Sequence, residues 1–124
     1  FGRYYSPDEA RTLIAEQAAA EELRPLLAMT YGGEVHIDRA FWANLTPPER
    51  AFVVAHELGH IVARHNKFDR KSVNEKEFEA DHLATAAIVK LGLPCITGAV
   101  LLRRMDKLYG VDLTVRAKRI EALC

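Results

Sequence analysis

His56-Glu57-Leu58-Gly59-His60, which follows the apolar run Ala51-Phe52-Val53-Val54-Ala55, is the stretch on which the reading of this chain turns. The two histidines stand four residues apart, so on a helix they share one face, one turn apart. Two imidazoles so placed can take two of the four positions around a zinc ion. Glu57 follows the first histidine and points to a neighbouring part of a cleft, where it can hold the attacking water rather than the metal. That division of labour is the metalloprotease reading of the pattern.

The helix around it is well marked. In Thr46-Pro47-Pro48-Glu49, Thr46 is a cap, the prolines suit the first turn and Glu49 is the partner that closes a capping box. From there the helix is expected to run to about His65. It is apolar over much of its circumference before His60, which predicts a central, buried position where packing fixes the ligands. Gly59 lowers helix propensity in the interior, so its missing side chain points to close packing against another element.

Working outward, the site needs a further protein ligand. No histidine follows at the short spacing of the all-histidine metzincin class, and His65 is rotated away from the ligand face. The next helix, capped by Ser72, carries Glu75, Glu77, Glu79, Asp81 and His82. Glu77 and Asp81 share a face, as do Glu75 and Glu79, and periodicity alone chooses neither pair. If Glu77 is the ligand, Asp81 can accept the outer ring N–H of a zinc histidine and fix its tautomer.

The remaining elements follow from local signals. Ser6-Pro7-Asp8-Glu9 starts a helix that fades before Pro25. Leu26-Leu27-Ala28-Met29 reads as a helical turn or a short strand, and Gly32-Gly33 as a turn. Glu34-Val35-His36-Ile37-Asp38 alternates as a half-buried strand, with His36 facing outward. Phe41, Trp42 and Leu45 form an apolar knot. Residues 64–71 are polar and mostly basic, a solvated helix end and loop. Gly92 ends the acidic helix, Pro94 starts another to Leu108, and a last helix spans about Leu113 to Leu123.

Composition sets wide bounds. The chain has 124 residues, 49% of them hydrophobic, and a formal net charge of zero. That suits one domain over residues 1–124 with one modest core, and proposes neither a nucleic-acid partner nor an anionic membrane. No apolar run within the 124 residues approaches transmembrane length, and no stretch of them reads as a signal peptide. Two cysteines make no disulfide framework. Cys95, among apolar residues, reads as a buried thiol, and the usage suits a reducing compartment, hence a cytoplasmic location.

The sequence resembles the gluzincin metallopeptidases of the HtpX and CAAX prenyl protease family over roughly residues 33–93. Glu77-Phe78-Glu79-Ala80-Asp81 matches the family's Glu-x-x-x-Asp element, and Gly33-Glu34-Val35-His36-Ile37 its edge strand. The size is similar to that of the small soluble minigluzincins. The family's His-Pro pair before an Arg-Ile element is missing here, while Arg119-Ile120 is present. A looser likeness, through His-Glu-Leu-Gly-His and a Glu-Ala-containing helix, is to repressor-cleaving metalloproteases of mobile elements. The resemblance implies an α+β fold: a mostly helical zincin-like domain with a small, two- to three-stranded β-sheet packed on the active-site helix. It implies Zn²⁺ held by His56, His60 and Glu77, with Asp81 in support.

The expected activity is zinc-dependent endopeptidase cleavage, with Glu57 as general base. Candidates to face the developing oxyanion are His82, Tyr109, Arg116 and Arg119. Arg119 is preferred through its place in the Arg-Ile element. The expected partner is a peptide or protein substrate lying extended along the strand near Val35. The rival is a metal-binding but silent module acting as a regulator, its cleft filled by aromatic-rich residues 1–5. A metal-free helical protein is the third reading.

Overall fold

The computed structural model describes residues 28–31, 34–63 and 71–124. The expected first helix after Ser6, the aromatic residues 1–5, the Gly32-Gly33 turn and most of the basic segment lie outside these.

Two short strands, β1 (Ala28–Tyr31) and β2 (Glu34–Ile37), lead into five helices: α1 (Arg39–Ala43), α2 (Pro47–Val62), α3 (Val73–Lys90), α4 (Thr97–Tyr109) and α5 (Thr114–Leu123). The α+β class expected from the sequence is therefore corrected, because the described residues form an almost entirely helical domain. Strand is confined to two four-residue segments that pair antiparallel with each other, Ala28 opposite Ile37 and Tyr31 opposite Glu34. Among the described residues nothing extends this ribbon into a sheet layer. The physical reason lies in where the apolar mass sits. Ala28 of the ribbon enters the buried core, with Ile37 half-buried at its margin. The remaining buried apolar side chains come from the helices and the turn at Leu45: Phe41, Leu45, Phe52, Val53, Ala84, Ile88, Ala99, Leu101, Leu102, Ala117 and Ile120.

Local chemistry sets the helix starts. Asp38 caps α1 by accepting from the Phe41 amide at 2.9 Å, which turns the expected apolar knot into a short helix. Thr46 and Glu49 form the full capping box at α2. Ser72 caps α3 by accepting from the Glu75 amide.

Helices α2 and α3 pack at close range. A β-carbon on Gly59 would lie 3.4 Å from the Ala80 α-carbon, at ordinary contact, which meets the expectation of close packing at this glycine. Gly110 ends α4 with a left-handed φ of 63°, and α5 returns antiparallel. This brings Cys124, at the end of α5, to Cys95, just before α4, and the two form a disulfide with α-carbons 5.8 Å apart. The expectation of a buried free thiol at Cys95 is thereby corrected. The pairing arises from the antiparallel return of one helix on another, which residue spacing does not display. No described helix is long and apolar enough to cross a membrane.

Candidate metal centre

Helix α2 delivers His56, Glu57 and His60 to its buried side, where they are 5%, 1% and 0% exposed. Helix α3, packed against it, delivers Glu77 and Asp81 from the facing side, both buried. Glu75 stands exposed in the first turn of α3, so the structure separates the two acidic pairs that periodicity left equivalent.

Three side chains converge. His56 Nε2 lies 3.2 Å from His60 Nε2 and 3.3 Å from Glu77 Oε2, and His60 Nε2 lies 3.4 Å from Glu77 Oε1. A tetrahedral ion with bonds of about 2.0–2.1 Å spaces its ligand atoms roughly 3.3–3.4 Å apart. The three separations lie close to that edge length, with the two histidines facing different oxygens of the Glu77 carboxylate. Both Glu77 carboxylate oxygens are buried without a hydrogen bond; Arg116 Nη1 lies 3.3 Å from Oε2, and a cation between the carboxylate and the two imidazoles would complete the group. The donor set, two imidazoles and a carboxylate, is the one zinc takes in catalytic sites with an open fourth position.

The electrostatics point the same way. Burial alone would depress the His56 pKa, but Asp81 and Glu77 raise it to about 10. Burial, with His56 beside it, holds the His60 pKa below its ordinary value. Burial would raise Glu77, yet the two histidines and Arg116 hold it well below the usual carboxylate range.

Residues 41–92, from α1 to just beyond α3, match the family model of the IrrE N-terminal-like domain of the M78 peptidases. The site is that of a zinc metallopeptidase. Its third ligand is a glutamate from a second helix, so it is of the gluzincin type and M78-like. No curated protein and no solved structure matches the chain.

Around the metallopeptidase ligands the other expected residues fall as follows. Asp81 Oδ1 lies 2.9 Å from His56 Nδ1. An ionised carboxylate only accepts, so His56 donates through Nδ1 and turns Nε2 to the ligand position. Arg116 reaches the same carboxylate, donating from Nε to Oδ2 and from Nη2 to Oδ1, each at 2.8 Å. Arg119 is exposed, its guanidinium 3.9 Å over the Phe78 ring, and is not among the side chains that meet in the cluster. His82 is exposed, and Tyr109 packs at the margin of the core. The sequence held a signal for Arg116. Leu113, Arg116, Ala117 and Ile120 share one helical face, and Ala117 and Ile120 are buried, which carries Arg116 inward and leaves Arg119 off that face.

Proposed function

We propose that this zinc metallopeptidase is an endopeptidase that cleaves extended segments of protein substrates. The observation that carries the proposal is the convergence of His56, His60 and the Glu77 carboxylate to separations of 3.2–3.4 Å, beside a buried Glu57 on the helix of the two histidines. His56, His60 and Glu77 would hold zinc, which supplies Lewis acidity toward a water and the scissile carbonyl. Glu57 takes the proton from the attacking water and passes it to the leaving amine. Asp81 keeps the His56 tautomer and ring orientation. Arg119 is the proposed donor to the developing oxyanion through its place in the Arg-Ile element, a role in which its guanidinium leaves the Phe78 ring to reach the scissile carbonyl.

The substrate is proposed to lie along β2, which among the described residues pairs on one side only. Kinship with the HtpX and CAAX prenyl protease family rests on the Glu77-to-Asp81 element, and the single domain over residues 1–124 on chain length. The cytoplasmic location proposed from composition is set against the Cys95–Cys124 disulfide, a feature of oxidising compartments.

The test is cleavage of an unfolded protein by the zinc-loaded chain and by Glu57→Gln. The variant is expected to retain one zinc per chain and lose about 10²–10⁴-fold in turnover. A wild-type chain that binds one zinc yet cleaves no unfolded protein would instead establish the silent, regulatory module.

A further inference from the structure

We propose that Arg116 is a positioning residue of the metal centre: it grips Asp81 so that Asp81 holds His56. The proposal rests on the zinc reading above. Its geometry is a relay across three elements. Arg116 on α5 makes two parallel hydrogen bonds of 2.8 Å to the Asp81 carboxylate. Asp81 on α3 accepts from His56 Nδ1 at 2.9 Å. His56 on α2 presents Nε2 to Glu77 and His60. A fork of this kind fixes the carboxylate plane as well as its position, and so fixes the direction in which His56 is pulled.

A second contact reaches a ligand directly. The Arg116 side chain is 13% exposed and its Nη1 lies 3.3 Å from Glu77 Oε2, so one guanidinium meets both buried carboxylates that α3 sends to the site. It also lines the same small cavity, about 30 Å³, as Glu57 and His56. A neutral side chain at this position would take the guanidinium away from the buried Asp81 and Glu77 carboxylates, which is costly.

The helix that carries Arg116 is fixed at both ends of its reach. Ala117 and Ile120 are buried beside it, and the disulfide ties Cys124 back to the start of α4. The guanidinium therefore enters the site from a braced element.

The experiment measures zinc affinity by chelator competition and the visible spectrum of the cobalt-substituted protein, for wild type, Arg116→Lys, Arg116→Met, Asp81→Asn and the Arg116→Met/Asp81→Asn pair. Arg116→Met is expected to weaken zinc binding about 10–100-fold and to shift the cobalt bands, as loss of outer-shell support does. Arg116→Lys, which keeps the charge and loses the fork, recovers part of the affinity. In the Asp81→Asn background, removing Arg116 is expected to change zinc affinity by less than about threefold, since the two residues act in one relay.

An Arg116→Met penalty that is the same with and without Asp81 overturns the proposal. So does an unchanged zinc affinity and cobalt spectrum in a variant that is merely less stable. If Arg116→Met fails to fold, Arg116→Lys decides: affinity equal to wild type overturns the relay, and a loss supports it. A wild-type chain that takes up no zinc sinks the metal reading and this proposal together, whereas full zinc uptake by every variant at wild-type affinity sinks this proposal alone.

Discussion

A β-carbon on Gly98 would stand 2.4 Å from the ring of Phe52. The contact sets how closely the start of α4 approaches α2, one turn ahead of the first zinc histidine. Phe52 is 2% exposed and its ring is held among core side chains, so it cannot swing into solvent to make room. Gly98→Ala is therefore expected to cost about 1–3 kcal/mol, as overpacking does, with the small cavity beside Phe52 favouring the lower part of that range. Urea unfolding measures it, and a variant as stable as wild type would show that α4 is not seated against Phe52.

Glu49 serves two elements at once. Its carboxylate accepts from the Thr46 amide at 2.9 Å and from Arg104 of α4 at 2.9 Å, with a second contact of 2.8 Å. Burial acts to raise its pKa, but Arg104 and Thr46 outweigh it and hold it below the usual glutamate value. A carboxylate depressed in the folded state contributes stability that is present above its unfolded pKa and is lost as pH falls through the folded value. Glu49→Gln is thus expected to lower stability by about 1–2 kcal/mol near neutral pH, a hydrogen-bonded charge pair discounted for the partial exposure of Arg104. The deficit should shrink below pH 4.5. A deficit that grows on acidification would contradict the assignment.

The disulfide closes a segment with a sequence separation of 29 residues. Chain-entropy reasoning gives such a link roughly 3–4 kcal/mol of stability. Cys124→Ser, or wild type under reductant, is expected to unfold at correspondingly lower urea. Because α5 carries Arg116, the same change should also weaken zinc binding. Two free thiols in the non-reduced native protein, counted by a thiol reagent, would refute the pairing.

How much of this was legible depended on range. The α2 start was readable because Thr46 and Glu49 are three residues apart and cap each other. The ligand pair was readable because His56 and His60 lie one turn apart on one helix. Glu77 and Asp81 were readable as a pair but not as the chosen pair, since only the approach of α3 to α2 at Gly59 and Ala80 leaves Glu75 in solvent. The helical class was obscured because Val35 and Ile37 alternate as a sheet strand would, while the limit of that pairing to two short strands among the described residues is a matter of tertiary packing. Arg116 and Arg119 differ by three residues. Which one enters the site depends on the rotation of α5 that buries Ala117 and Ile120. The disulfide is the least local feature, since it needs two helix ends to meet.

Metal uptake by the free protein should carry a proton signature. With no metal bound, burial lowers His56 but the Asp81 and Glu77 carboxylates raise its pKa to about 10, so at neutral pH the ring is an imidazolium. Zinc takes only the neutral imidazole, and binding must release that proton. A raised histidine pKa contributes stability to the metal-free chain that is complete below about pH 6.5, the unfolded value, and is lost as pH rises through about 10. Zinc affinity accordingly gains about tenfold per pH unit from this group between those limits, as its competitor, the proton, is withdrawn. Calorimetric titration in buffers of different ionisation enthalpy is expected to report close to one proton released per zinc at pH 7.5. Release of none would place His56 as already neutral, with burial outweighing the pull of the two carboxylates.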